Sequence, residues 1–179
     1  MRRALTVATC AALLGGTVVG GASSAAADDD SLRQDAFAAT RQATARYHDI
    51  STAVGFGELR DAADIACIDN PAGGMGVHYV NGGRIDAVLD PALPEVLVYE
   101  PRADGSMQLG AVEYVIFASD WPGEDPPELF GHSFYYMPGQ DEAHPNRYGL
   151  PAFWELHAWV WKTNPNGMFD DWNPRVTCP

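Results

Sequence analysis

The chain has little positive charge. Its 179 residues include 11 lysines and arginines against 24 aspartates and glutamates, which gives a formal net charge of −13 at neutral pH. Lys162 is the one lysine, and no run of basic residues occurs along the sequence. Binding to phosphate-rich surfaces requires clustered lysine and arginine. The sequence therefore predicts no nucleic-acid partner and no anionic membrane surface as a partner.

The sequence also lacks the short motifs that mark several large enzyme classes. It contains no Gly-x-Ser-x-Gly nucleophile turn, no Walker A phosphate loop and no Gly-x-Gly-x-x-Gly dinucleotide motif. His-Glu-x-x-His and His-x-His spacings are absent as well. Because no activated nucleophile is recognisable, any chemistry must rest on residues that the fold brings together.

The N-terminus has the pattern of a secretory signal peptide. Arg2-Arg3 precedes an uncharged, partly apolar stretch at residues 4–21, and small residues follow and end at Ala25-Ala26-Ala27. We interpret residues 1–27 as a cleaved signal and residues 28–179 as a single secreted domain. No later segment is long and apolar enough to span a bilayer. The expected location of the product is extracytoplasmic, with no membrane contact after cleavage.

Cysteine is scarce, and Cys10 lies within the predicted signal. The remaining two, Cys67 and Cys178, are expected to form a disulfide, since lone pairs of cysteines usually pair in an oxidising compartment. No Cys-x-x-Cys spacing favours a metal thiolate or a redox-active site instead. We therefore expect this bridge to be structural.

A change of hydrophobic period divides the rest of the chain. Apolar residues recur at three- and four-residue steps from Ser31 to Val54, which predicts an amphipathic helix that is capped by Ser31 and Gln34 and ended by Gly55 and Gly57. Alternation with period two then predicts at least four strands, at residues 75–80, 95–100, 109–118 and 153–161. The predicted fold class is α+β, with the N-terminal helix packed on an antiparallel sheet and one disulfide.

Proline and aromatic residues mark the segment from Ser119 to Pro151. We interpret it as a long ordered loop over one face of the sheet, because loops of this length in compact domains are usually functional or disordered. Its aromatic part, Trp121 to Tyr148, is the predicted cover of a site on that face. A shorter segment at residues 101–105 has hairpin chemistry and predicts an antiparallel pair of strands on either side.

Three residues of the predicted strands form the candidate site. Strand parity places Glu155 and His157 on one face. His78 follows a glycine-rich start at residues 73–76, which permits close approach of a ligand or of another backbone. Glu113 lies between apolar residues, where a carboxylate needs solvent or a partner. His78, Glu113 and His157 suit a divalent metal such as zinc, iron or manganese, and they equally suit a general acid–base pair.

Structural interpretations stay open for the same side chains. Each histidine can be a buried residue that is hydrogen-bonded to the backbone, and Glu113 can pair with Arg84 or Arg175. The acidic pair Asp170-Asp171 is predicted to be solvated. Indole rings either fill the core or form a ladder that stacks on a sugar or a flat apolar ligand; they are Trp154, Trp159, Trp161 and Trp172.

Two long segments have a distinctive sequence. The first, at 73–81, is Gly-Gly-Met-Gly-Val-His-Tyr-Val-Asn. The second, at 156–169, is Leu-His-Ala-Trp-Val-Trp-Lys-Thr-Asn-Pro-Asn-Gly-Met-Phe, and it is followed by Trp-Asn-Pro-Arg-Val at 172–176 and by Cys178. In these segments, and at 94–101 and 112–114, the chain resembles a group of secreted bacterial proteins. The resemblance implies that the three candidate site residues lie in segments characteristic of the group. It implies no reaction, because the group has no established activity.

The sequence as a whole predicts a small secreted domain that binds a metal or a small-molecule ligand through His78, Glu113 and His157. One alternative is a small secreted enzyme that uses the same residues as metal ligands or as an acid–base pair. A second alternative is a structural or interaction protein whose histidines are buried.

Overall fold

An antiparallel sheet is the centre of the fold. The structure, a computed structural model, describes residues 22–54, 67–139 and 149–179. Its strands are β1 (Ile68–Asn70), β2 (Gly73–Val80), β3 (Val96–Pro101), β4 (Met107–Phe117), β5 (Glu128–Leu129), β6 (His132–Ser133), β7 (Tyr135–Met137) and β8 (Phe153–Ala158). Six of them form one sheet in the order β1-β2-β3-β4-β8-β7, and β5 and β6 form a separate two-stranded ribbon.

Buried side chains alternate between the two faces of the sheet, as strand geometry requires. The larger core lies on one face and includes Leu97, Tyr114 and Leu156. A smaller core lies on the opposite face and includes Val96 and Val115. The three candidate site residues share the face of the smaller core.

The predicted α+β class, the antiparallel sheet and the hairpin at residues 101–105 are confirmed. Three predicted strands lie within two residues of their expected bounds, whereas the fourth ends at Ala158 and does not reach Trp161. Regular pairing stops there because the Trp159 backbone N–H donates to the carbonyl of Met168 (2.9 Å) and not to β4. The Trp161 N–H then donates again to the carbonyl of Gly110 in β4 (3.0 Å).

The helical segment differs from its prediction at both ends. It consists of α1 (Ala22–Thr44), a 3₁₀ turn (Ala45–His48) and α2 (Ile50–Val54). Ser31 and Gln34 lie inside α1, so they do not form the predicted capping box. The helix is interrupted at Asp49, whose backbone is extended, while Gly55 and Gly57 lie outside the described residues. No helix in the described part of the chain is both long and apolar enough to cross a membrane.

Contacts between α1 and the sheet are largely polar and lie near the C-terminal end of the helix. Thr40 Oγ1 is 3.1 Å from the Tyr114 hydroxyl, and Arg41 Nε donates to the Val160 carbonyl (3.0 Å). A few half-buried apolar side chains such as Phe37 add to these contacts. The predicted packing of a continuous apolar stripe along the sheet is therefore not supported.

The C-terminal segment returns to β2 and is fixed there. Gly74 and Asn173 exchange two backbone hydrogen bonds of 3.1 Å each. Gly73 has a φ of +144°, and a β-carbon on it would lie 2.4 Å from the backbone of Asn173. These glycines thus admit another backbone, which was one of the two predicted alternatives. The predicted disulfide between Cys67 and Cys178 is present and ties the end of the chain to the start of β1.

The segment between β4 and β8 is more regular than the predicted loop. It contains the β5–β6 ribbon, and it supplies β7 as an edge strand that pairs with β8. Phe130 and Phe134 are buried in the larger core, on the face opposite the candidate site. The expectation of an aromatic cover is therefore wrong for these rings, and its part at residues 140–148 lies outside the described residues.

Candidate functional site

The order and register of the sheet place Glu113 and His157 side by side, and they place His78 two strands away from Glu113 on the same face. Glu113 in β4 is directly opposite His157 in β8 and Val96 in β3. His78 in β2 is opposite Val98, two residues further along β3 on the same face. Side chains that face each other across strands are about 4.5–5.5 Å apart at their β-carbons, and diagonal neighbours are about 7–8 Å apart. These spacings make Glu113 and His157 direct neighbours, while the side chain of His78 approaches them across β3 on the same face.

The three side chains converge as the sequence predicted. One ligand-type atom from each of His78, Glu113 and His157 lies within 4.8 Å of the other two. His78 Nε2 is 3.6 Å from Glu113 Oε2, and the two imidazole ring centres are 6.4 Å apart. Two donors on one tetrahedral zinc ion with bonds of ~2.1 Å are about 3.4 Å apart. Side-chain movements of about 1 Å would therefore bring the three donors to binding distance.

His157 is the most confined member of the cluster, with 1% of its surface exposed. Neither ring nitrogen has a hydrogen-bond partner within the described parts of the chain. Burial lowers the pKa of this imidazole well below its ordinary value, and the nearby His78 lowers it further. His157 is thus neutral near pH 7, which is the form that binds a metal. Its two unsatisfied nitrogens make an empty site unfavourable, since each costs about 1–3 kcal/mol.

Glu113 shares a hydrogen bond with a second buried carboxyl group, Glu155. Burial raises the pKa of Glu113 well above its ordinary value, and the charge of Glu155 raises it further. Burial likewise raises the pKa of Glu155. Two buried carboxylates in contact do not both ionise readily, so the pair retains a proton. Arg84, one of the predicted partners of Glu113, donates to the carbonyl of Pro94 (3.3 Å).

Two cavities border the cluster. The smaller has a volume of about 60 Å³, and it is lined by His78, Glu113 and Glu155 together with aliphatic side chains such as Val96. The larger has a volume of about 320 Å³ and borders His157 and Glu155. Glu155 lies between the two cavities and lines both of them. The cluster is therefore reachable from two sides with different chemistry, one aliphatic and one polar.

Sequence reasoning missed Glu155 and Asp171 as members of the site. The parity of β8 places Glu155 on the face of His157, but its contact with Glu113 depends on the register between β4 and β8, which is not visible in the sequence. Asp171 was predicted to be solvated, and it is instead half-buried beside Glu155. Burial and the charge of Glu155 raise the pKa of Asp171 to about 7. The two-residue spacing of Glu155 and His157 was the one available signal.

The tryptophan rings do not form the ladder that was one of the predicted alternatives. Trp159 is buried, Trp161 packs edge-on against His48 with ring centres 4.4 Å apart, and Trp154 packs against Tyr136 with ring centres 4.9 Å apart. Because each ring has a different neighbour, these indoles do not present a shared platform for a sugar.

Comparisons with family models, curated proteins and solved structures found no match for this chain. The resemblance to a group of secreted bacterial proteins therefore stays a prediction. The disulfide is consistent with an extracellular location, while most of the predicted signal, residues 1–21, lies outside the described residues. Function must be argued from the geometry of the site.

Proposed function

We propose that this protein is a secreted domain that binds one divalent metal ion through His78, Glu113 and His157. The observation that carries the proposal is the state of His157, a neutral, fully buried imidazole with no hydrogen-bond partner in the described structure. A metal ion bound between the three donors would satisfy one of its nitrogens and would take the place of the proton on the buried Glu113 carboxyl group. The predicted signal at residues 1–27 and the disulfide support export.

The donor set favours zinc, ferrous iron or manganese. Two imidazoles and one carboxylate are typical ligands of these ions, whereas calcium and magnesium prefer oxygen donors alone. Structural zinc sites are usually closed by four protein ligands, and three protein ligands leave at least one position open. A site with an open position beside a cavity of about 320 Å³ also supports a second candidate function, that of a metal-dependent enzyme.

A metal-free acid–base pair is supported less well by the same geometry. Such a pair needs a hydrogen bond between its members or through one water molecule. His78 Nε2 and Glu113 Oε2 are 3.6 Å apart, beyond the length of a direct hydrogen bond. A purely structural histidine, in turn, is expected to donate to a backbone carbonyl, and within the described residues His157 has no such bond. Metal binding accounts for both observations.

Elemental analysis of the exported protein, purified without chelator, tests the proposal. The variants are a His78→Ala, His157→Ala double variant and His48→Ala as the matched control, because His48 is exposed and packs against Trp161, which belongs to the larger core on the opposite face. We expect about one equivalent of metal in the unaltered protein and in the control, and none in the double variant. The proposal is wrong if the unaltered protein contains no metal and added zinc, iron or manganese leaves its thermal stability unchanged.

A further inference from the structure

The larger cavity lies beside the metal cluster, at the edge of β8. Strand β7 pairs with β8 only as far as the Tyr135–Glu155 pair. The cavity lies next to this end of the pairing, and its volume of about 320 Å³ is sufficient for a small molecule. Seven of the side chains that line it decide its chemistry: Glu155, His157, Asp171, His132, Tyr135, Phe169 and Trp172.

The charge of this cavity wall disfavours anions. Glu155 and Asp171 both line it, and no lysine or arginine is among the described residues that line it. Asp170, next in sequence, adds to the negative field at Asp171. A positively charged ligand would stabilise the ionised form of these carboxyl groups, whereas a carboxylate or phosphate would oppose it.

Aromatic rings complete the surroundings that an organic cation requires. Tyr135 is 65% exposed, and Trp172 and Phe169 contribute two further rings to the wall. Phe169 is held by His132, whose ring centre is 3.9 Å from its own. Carboxylates together with aromatic faces are the usual means by which proteins bind alkylammonium groups.

A second metal ion is a weaker candidate for the same cavity. In the described part of the chain, three potential ligands converge within 4.8 Å at one place, which is the cluster of His78, Glu113 and His157. No other group of three among these residues meets that distance. Asp171 and Glu155 face the cavity without a third donor at that distance. The wall therefore matches a diffuse organic charge better than a compact ion.

His157 links the cavity to the metal site. One of its ring nitrogens belongs to the metal cluster, and the ring also borders the cavity. Ligand imidazoles usually donate their second N–H to an oxygen acceptor, and no described residue provides one. Both nitrogens are closed to solvent in the empty site, so a small movement of the ring would let an oxygen atom on a molecule held in the cavity satisfy this nitrogen.

We propose that this cavity binds a small organic cation, a molecule with an alkylammonium group, next to the metal. The hydrogen bond from His157 rests on the proposed metal site. The attraction between the cation and the carboxyl groups and rings is independent of it.

Titration of the exported protein with tetramethylammonium chloride, in metal-loaded and chelator-treated form, tests this inference. Two probes of similar size serve as controls, the neutral tert-butanol and the anionic pivalate. Binding is followed by NMR from the indole signal of Trp172. We expect tetramethylammonium alone to shift this signal, and we expect Asp171→Asn to weaken its binding about tenfold or more. Asp125→Asn, which removes an exposed charge elsewhere, should bind as the unaltered protein does.

Several results would overturn the inference. Equal binding of tert-butanol or pivalate would show that the cavity does not select a cation, and this comparison on the unaltered protein holds even where a variant folds poorly. A second equivalent of zinc that is lost in Asp171→Asn would assign the cavity to a metal. Metal binding without tetramethylammonium binding would refute this inference alone. Tetramethylammonium binding to a protein that takes up no metal would refute the proposed function and support the cavity assignment.

Discussion

Replacement of His157 by phenylalanine should stabilise the metal-free protein and abolish metal binding. His157 is fully buried, neutral, and without a hydrogen-bond partner for either ring nitrogen in the described structure. Phenylalanine keeps an aromatic ring beside Trp159, whose ring centre is 4.7 Å from that of His157, and it removes both unsatisfied polar atoms. A residue kept for binding is expected to lower the stability of the empty site in this way.

The expected magnitude follows from two opposing terms. Each unsatisfied buried nitrogen costs about 1–3 kcal/mol, so the substitution removes about 2–6 kcal/mol of destabilisation. The larger phenyl ring has to be accommodated in a packed site, which costs about 1–3 kcal/mol. With the middle of each range, the net gain in the free energy of unfolding is about 2 kcal/mol. For a domain of this size it corresponds to a rise in Tm of about 4–8 °C.

Differential scanning calorimetry of His157→Phe and the unaltered protein, each with and without chelator, measures this effect. The order of stability should reverse when metal is added, because a ligand at 100 times its Kd stabilises the unaltered protein alone by about 2.7 kcal/mol. His48→Phe, at an exposed position, controls for the general effect of a new phenyl ring. The reasoning is refuted if the metal-free His157→Phe variant is less stable than the metal-free unaltered protein by 1 kcal/mol or more.

Three further predictions follow from the same structure. Metal affinity should rise about tenfold per pH unit below the pKa of the Glu113 carboxyl, because binding displaces one proton; calorimetric titration in buffers of different ionisation heat measures that proton. Glu95 accepts a hydrogen bond from the Val115 N–H (3.0 Å), and burial raises its pKa to about 7. A carboxyl group whose pKa is raised by folding stabilises the protein at low pH, and this stability is lost as pH rises from the pKa of the unfolded state through that of the folded state. The unaltered protein should therefore lose on the order of 3 kcal/mol of unfolding free energy between pH 4 and 8 through this group. Glu95→Gln should remove that loss, as measured by urea unfolding. Joint replacement of Cys67 and Cys178 by serine opens a link between residues 111 positions apart and should lower the free energy of unfolding by about 4–5 kcal/mol, also measured in urea.

A different outcome would contradict each of these predictions. Metal binding that releases no proton would show that Glu113 is not a ligand or that it is already ionised in the empty site. Parallel pH profiles for Glu95→Gln and the unaltered protein would show that the Glu95 carboxyl does not titrate in the buried position. An unfolding midpoint that the double serine variant leaves unchanged would show that the disulfide contributes nothing to stability.

The sheet and the cluster of three could be predicted because both depend on alternation along single strands. Period two identified the strands that contain His78, Glu113 and His157, and parity placed Glu155 with His157. A buried polar residue in an apolar strand requires a partner, so the presence of polar side chains in three strands already indicated that they meet.

The remaining members of the site depend on tertiary contacts that leave little trace in the sequence. The pairing of Glu113 with Glu155 follows from the register of β4 and β8. Asp171 is shielded because the C-terminal segment returns over the edge of β8, held by the Gly74–Asn173 bridge. In the same way, the interruption of the helix at Asp49 is a local backbone event within an otherwise helical pattern, so periodicity extended the predicted helix through it.

X-ray absorption spectroscopy of the protein loaded with one equivalent of zinc tests the central claim most directly. The account predicts a first shell of nitrogen and oxygen atoms at 2.0–2.2 Å together with outer-shell scattering from two imidazole rings. The His48→Ala variant should give the same spectrum, and His157→Phe should retain no zinc after desalting. A sulfur shell near 2.3 Å, or a spectrum without imidazole scattering, would contradict the assignment of His78, Glu113 and His157 as a metal site.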